Sequence, residues 1–209
     1  MEEKAVKALT MLRGLRSVVF STVADGTPQS RIIDVMVQDD GGLIFTTCRI
    51  KPFYRQLKES MKVSLTGMTK DHVQIRLNGD IKEIDKKGLD AVYEANPDFD
   101  NLFPKDQELG HFQVFRIYRG KGEIFDLSGK EVKMQRERFA FGGETVNQAG
   151  CTITDKCIAC GKCAKSCPFN AISLNEEKNI YAVDSRFCDE CGICFHVCPA
   201  GAVELPAGL

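Results

Sequence analysis

Apolar and polar positions alternate along most of the first 127 residues, and helical spacing interrupts the alternation at a few places. Ala5, Ala8, Leu9 and Leu12 fall on one face of a helix over Glu2–Leu12, which Gly14 is expected to end. Ser17–Ala24 is β-branched and apolar, and Asp25-Gly26 turns it into a second strand over Gln29–Val37. Asp39-Asp40-Gly41-Gly42 makes the next hairpin, into Leu43–Thr47. Lys51–Ser60 reads as a helix with Pro52 in its first turn. Lys62–Met68 and His72–Ile84 form an antiparallel pair, and Asp85–Asn96 a helix capped by Asp85 and ended before Pro97. His111–Tyr118 and Gly122–Leu127 predict a last hairpin across Arg119-Gly120-Lys121. Short strands at regular spacing with few helices predict a small antiparallel β-barrel over residues 1–127.

A chain of 209 residues suits one or two domains. The formal net charge of −1 gives no reason to expect nucleic acid or an anionic membrane as partner. No apolar run approaches bilayer length. The opening residues 1–7 are charged and helix-like rather than a secretory leader, so a cytoplasmic protein is expected.

The C-terminal part carries a different signal. Eight of the ten cysteines fall in two runs, Cys157-x2-Cys160-x2-Cys163-x3-Cys167-Pro168 and Cys188-x2-Cys191-x2-Cys194-x3-Cys198-Pro199. Structural zinc favours two separated Cys-x2-Cys pairs per metal, and disulfides are rare in a reducing compartment. A four-cysteine run closed by proline and present twice instead has the thiolate count and spacing of iron–sulfur ligation. Gly161 and Gly192 let the backbone turn tightly enough for amides to face cluster sulfurs, and the prolines redirect the chain.

These runs resemble the bacterial ferredoxins that hold two [4Fe–4S] clusters, over about residues 150–205. In such proteins the fourth cysteine of each run ligates the other cluster. The resemblance implies Cys157, Cys160, Cys163 and Cys198 for cluster 1, and Cys188, Cys191, Cys194 and Cys167 for cluster 2. The stretch Ile180–Asp184 resembles the strand between the motifs, where Tyr181 either packs near a cluster or only fills the core. The implied module is a small α+β two-cluster domain over 150–209.

The strand-rich part resembles the FMN-binding split barrel of the pyridoxamine 5′-phosphate oxidase family. The likeness is carried by Arg31-Ile32-Ile33, Phe45-Thr46-Thr47, Lys51, Gln56-Leu57, Val63-Ser64-Leu65, and Gln74 five residues before Gly79. It implies FMN in a groove between two subunits of a homodimer, with Arg31, Ile32, Ile33, Thr46, Thr47, Lys51 and Gln74 as cofactor contacts. Arg31 and Lys51 would meet the phosphate, Thr46 and Thr47 would offer hydrogen bonds, and Gln74 would reach the flavin end. A phosphate suits this chemistry, since arginine supplies a fork of donors and lysine a point charge.

Two departures are plain. Met36 stands where the oxidase has a further lysine, and Lys51-Pro52-Phe53 where it has an Arg-Lys pair after a serine. No residues for pyridoxine phosphate are recognisable, so oxidation of vitamin B6 is not expected. Residues 128–149 join the two domains as a linker or a flavin-covering segment. Arg136 or Arg138 would touch flavin phosphate or substrate there, or the segment is solvated and Phe139 and Phe141 dock it on the barrel. Cys48 reads as a buried thiol near the flavin and Cys151 as a spare thiol rather than a fifth ligand. His72, His111 and His196 are isolated, and His196 is placed beside a cluster.

The whole points to an FMN-dependent oxidoreductase in which two clusters relay single electrons to or from the flavin, which reduces or oxidises a small molecule. The other reading is a non-catalytic carrier moving electrons between partner proteins. The catalytic residues, the acceptor and the direction of flow are not legible, and no Gly-x-Gly-x-x-Gly nucleotide fingerprint is present.

Overall fold

A computed structural model of the chain describes residues 1–105, 111–129 and 134–208. Residues 130–133, part of the segment read as a linker, lie outside the described residues. The chain forms two compact units, and neither is one continuous stretch. The first comprises Met1–Thr69, Gln74–Gly122 and Phe139–Thr145, and the second comprises Lys70–Val73, Glu123–Arg138 and Val146–Leu209.

In the first unit, helix α1 (Glu3–Leu15) buries Ala5, Ala8, Leu9 and Leu12, the face its sequence marks as apolar. It carries Gly14 inside its last turn and stops one residue past Leu15, where Arg16 has a φ of 61°. Strands β1 (Ser17–Ala24) and β2 (Thr27–Asp34) are joined by Asp25 and Gly26, both at positive φ. Two left-handed residues are what a two-residue hairpin needs to match strand twist. The extended run predicted to Val37 breaks at Val35 and Met36, which turn into the core, and resumes as β3 (Val37–Asp39). Then come β4 (Gly42–Cys48), α2 (Pro52–Ser60), β5 (Lys62–Met68), β6 (Val73–Ile84), α3 (Lys86–Ala95) and α4 (Pro97–Leu102). Asp85 caps α3 by accepting from the Lys87 N–H at 3.1 Å. Strands β7 (Phe112–Asp126) and β8 (Gln135–Phe141) complete a sheet in the order β2-β1-β5-β6-β7-β4-β3, with β8 on β7.

The predicted hairpin at Arg119-Gly120-Lys121 does not form, because β7 runs straight through it. Gly120 serves close approach instead. A Cβ there would lie 2.7 Å from the Asn78 carbonyl oxygen and 3.1 Å from the Gly79 Cα. Alternation on β5 and β6 sends Val63, Leu65, Ile75 and Leu77 inward. Phe45 faces Phe115 in the β4–β7 register with ring centroids 5.6 Å apart, and lies 4.8 Å from Phe20. Each such aromatic pair adds about 0.5–1.5 kcal/mol beyond the area it buries.

The second unit holds β9 (Thr152–Ile153), α5 (Lys162–Ser166), β10 (Ile172–Asn175), β11 (Ile180–Val183), a 3-10 turn (Ser185–Phe187), α6 (Ile193–Val197) and β12 (Val203–Glu204). Its halves match locally. Ala159 and Gly161 repeat at Glu190 and Gly192 with φ of 54°, 72°, 62° and 74°, and each pair leads into a five-residue helix. Helices α5 and α6 pack on each other. Strands β10 and β11 form a hairpin, while β9 pairs with β12 through Ile153 and Val203. That last pairing draws the end of the second cysteine run back to the start of the first.

Candidate redox centres

The eight motif cysteines gather around two cavities. One is lined by Cys157, Cys160, Cys163 and Cys198, beside Ile153 and Tyr181. The other is lined by Cys167, Cys188, Cys191 and Cys194, and also by Cys151. Each cavity is thus closed by the last cysteine of the other run. Among the described residues no three His, Cys, Asp or Glu side chains are close enough to share one metal ion. Four sulfurs spread round a cavity suit a polynuclear cluster, in which each iron takes its own thiolate. Backbone N–H groups already point at three of these sulfurs: Ala171 to Cys167 at 3.4 Å, Glu190 to Cys188 at 3.4 Å, and Ala202 to Cys198 at 3.3 Å. The donor set and the amide cradle fit a cluster in both places. Burial raises the Cys163 and Cys194 thiols above their ordinary values. Cys160 and Cys191 are exposed, so each cavity has one edge toward solvent.

A buried ion network stands beside the second cavity. Glu190, between Cys188 and Cys191, pairs with Arg136 and accepts from Arg138 at 2.7 Å and from the Gly150 N–H at 2.9 Å. Glu123 lies 3.5 Å from Arg136 and 3.4 Å from Arg138. Burial alone would raise Glu190, yet the Gly150 N–H and the two guanidinium groups hold it below the usual carboxylate range. Arg138 also donates to the carbonyls of Asn147, Gln148 and Gly208 at 3.2, 3.2 and 2.9 Å. The structure therefore places Arg136 and Arg138 with a cluster loop rather than at a flavin phosphate. Phe139 and Phe141 are buried in the first unit.

Of the residues expected at the flavin, Arg31 is the most telling. Its Nη1 donates to the Thr22 hydroxyl and its Nη2 to Gln56 Oε1, both at 2.7 Å, and its guanidinium lies 4.5 Å from the Phe53 ring centre. No carboxylate pairs with it among the described residues, and burial lowers its pKa. A cation fixed by neutral acceptors retains its charge for an anion. Lys51 is exposed at the start of α2, the helix that carries Phe53 and Gln56. Thr46 and Thr47 lie near the end of β4; Thr47 is 4% exposed and its hydroxyl has no hydrogen-bond partner among the described residues. A buried orphan hydroxyl is costly unless a ligand completes it. Arg31 and Thr47 so fit a phosphorylated hydrogen-bonding cofactor.

The remaining expected contacts are not gathered with Arg31. Ile32 is 63% exposed and Ile33 half-buried. Gln74 pairs with exposed Met68 on the outward face of the sheet, whereas Arg31 pairs with Phe20, which is buried inside. Met36 sits in the core against Ile44, Val92, Phe99 and Val114, far in character from a phosphate ligand. Thr22 is not marked by the sequence, and Gln56 is marked only within the family resemblance and not as a partner of Arg31. The available signal was a polar residue on the apolar face of α2, three residues from Phe53. An open cavity of about 470 Å³ is lined by Thr22 with Ser21, Lys62, Ser64, Asn78 and Asp80 among others. None of the expected flavin contacts lines it. Cys48 is half-buried, and His196 packs edge-on to Phe195 with ring centroids 5.5 Å apart. No helix among the described residues is long and apolar enough to cross a membrane.

Comparison with known proteins finds a family match for each part of the chain. The family model for pyridoxamine 5′-phosphate oxidase matches residues 3–118, and that for a 4Fe-4S dicluster domain matches residues 156–202. A ferredoxin of Butyribacterium methylotrophicum is 56% identical over 36 residues, which are 17% of this chain and 60% of that protein. Ferredoxin-1 of Chlorobaculum tepidum is 47% identical over 38 residues, 18% of this chain and 58% of its own. The chain thus spans less than two thirds of these curated relatives. Among solved structures, a NimC/NimA family protein of Clostridium acetobutylicum aligns with a TM-score of 0.57 at 24% identity, covering 66% of this chain and 93% of its own. A protein of the same organism, related to general stress protein 26 and of the pyridoxinephosphate oxidase family, aligns at 0.53 with 14% identity, covering 67% and 96%. These two likenesses are of fold.

Proposed function

The chain belongs to the pyridoxamine 5′-phosphate oxidase family and carries a 4Fe-4S dicluster domain, and from that premise we propose that it is an FMN-dependent oxidoreductase with two [4Fe–4S] clusters as its electron relay. The exchange of the fourth cysteines between the cavities carries this reading, since it is the arrangement that two four-iron clusters need. Cys157, Cys160, Cys163 and Cys198 hold the first cluster, and Cys188, Cys191, Cys194 and Cys167 the second. When bound, flavin exchanges electrons singly with clusters and in pairs with a substrate.

The chain's own residues supply binding and orientation. Arg31, held by Thr22 and Gln56, offers its uncompensated charge to the phosphate, and Thr47 contributes a hydroxyl that no other described residue engages. Lys51 adds an exposed cation at the start of α2. Arg31 and Gln74 lie on opposite faces of one sheet, so a flavin touching both takes them from two chains, which favours a homodimer. The open cavity that Thr22 helps to line has the volume of a small-molecule site and favours an enzyme. The carrier reading is favoured by one feature, the exposed Cys160 and Ile158 at the first cavity, which suit a docking redox protein.

Anaerobic purification and reconstitution tests the proposal. About eight iron and eight sulfide per chain are expected, with FMN released on denaturation. Bound zinc without sulfide, or no flavin after reconstitution, would overturn it. A screen of acceptors that reoxidise the reduced flavin then separates enzyme from carrier.

A further inference from the structure

The two cysteine cavities share their four-thiol plan and differ in several lining residues, one of which adds a thiol. Tyr181 flanks the first, and at the second a fifth thiol, Cys151, stands among the four. Cys151 is only 4% exposed, lines the cavity, and packs in one buried cluster with Cys188 and Cys194. Its place is enforced by what precedes it. The Gly150 N–H donates to Glu190 Oε1, and Glu190 is itself gripped by Arg136 and Arg138. Gly150 has a φ of +87°, and a Cβ on it would lie 3.0 Å from the Cys188 Cβ. Both the backbone conformation and the close contact call for glycine. Glu190 and its two cations thus fix the backbone that presents this thiol to the cavity.

A four-iron cluster uses four cysteines, which leaves this thiol without an iron. A hydrogen bond to a ligand sulfur withdraws negative charge from the cluster and favours its reduced form, which is one way that proteins set cluster potentials. We propose that Cys151 is a positioning and tuning residue, an S–H donor to the Cys194 and Cys188 sulfurs that holds the second cluster at a more positive potential than the first. The proposal depends on the two clusters inferred above. It makes the two sites unequal, so that an electron settles preferentially on the second cluster.

The test compares the full-length anaerobic protein with its Cys151→Ala and Cys151→Ser variants. Iron and sulfide are counted first, and the cluster potentials are then followed by electron paramagnetic resonance during a redox titration. With full iron and sulfide, Cys151→Ala is expected to shift the more positive potential downward and leave the other in place. Cys151→Ser, which keeps a donor of similar size, is expected to stay nearer the parent. Unchanged potentials in the alanine variant, or a serine variant indistinguishable from it, would overturn the donor role. Loss of half the iron and sulfide from Cys151→Ala would make the residue a ligand and overturn it as well. Absence of sulfide from the parent protein would remove the clusters themselves, an outcome distinct from the others.

Discussion

Replacing Arg138 by methionine probes the ion network beside the second cavity. Methionine keeps the length of the side chain and removes its charge. Arg138 is 4% exposed, Glu123 2% and Glu190 17%, so the opposing carboxylates stay largely shielded from water once it is gone. At an effective dielectric of about 20, one pair at about 4 Å is worth roughly 4 kcal/mol, and measured losses for breaking buried pairs run about 3–5 kcal/mol. The carbonyls of Asn147, Gln148 and Gly208 belong to exposed residues and turn to water, so they add little. A loss of about 3–5 kcal/mol moves the unfolding midpoint down by roughly 6–20 °C for a chain of this size. Anaerobic thermal melts followed by far-ultraviolet circular dichroism read that shift. The double variant Arg138→Met/Glu190→Gln removes both members of a pair, so it is expected to cost less than the summed singles by about 1 kcal/mol or more. A shift under about 2 °C for Arg138→Met, or strict additivity, would refute the claim that the network holds the loop.

Other outcomes follow from the first unit. Thr47→Val removes an unsatisfied buried hydroxyl, so the flavin-free protein is expected to melt at an equal or higher temperature by about 1 kcal/mol. The same variant retains less flavin on gel filtration, and equal retention would count against Thr47 as a contact. Arg31→Ala removes charge-assisted hydrogen bonds of about 1.5–3 kcal/mol, which predicts FMN binding roughly 10- to 150-fold weaker by fluorescence titration. Asp39 titrates below the usual carboxylate range: burial alone would raise it, and its hydrogen bonds to Arg116 and the Gly41 and Gly42 N–H groups outweigh that. Its contribution to stability is therefore complete above the unfolded carboxylate pKa of about 3.9 and is lost as pH falls through the lower folded value. Melts taken through this window should show a smaller acid loss for Asp39→Asn than for the parent.

Where local chemistry decides structure, the sequence was readable. The boundaries of β1 and β5 follow from alternation and the start of α3 from Asp85. The failures share a cause. Gly120 looks like a turn residue, but it is small because Asn78 and Gly79, some forty positions away, press against it. Arg136 and Arg138 look like solvated charges, yet they are buried because Glu190 lies beside them in space and more than fifty residues on in sequence. The same distance hid Gln56 as the residue that holds Arg31. Local patterns report propensity and amphipathicity, while a partner remote in sequence can invert the meaning of a glycine or a charge.

The make-up of the second unit bears on modularity. Its cysteines lie between positions 151 and 198, but Glu123, Arg136 and Arg138 come from β7 and β8, strands that the two units share. A gene fragment starting at residue 150 would encode every thiolate and still leave Glu190 stripped of both its cations. The stretch that carries the cysteine motifs is therefore shorter than the stretch that supports them, and a cut placed by the motifs alone would fall inside the supporting network.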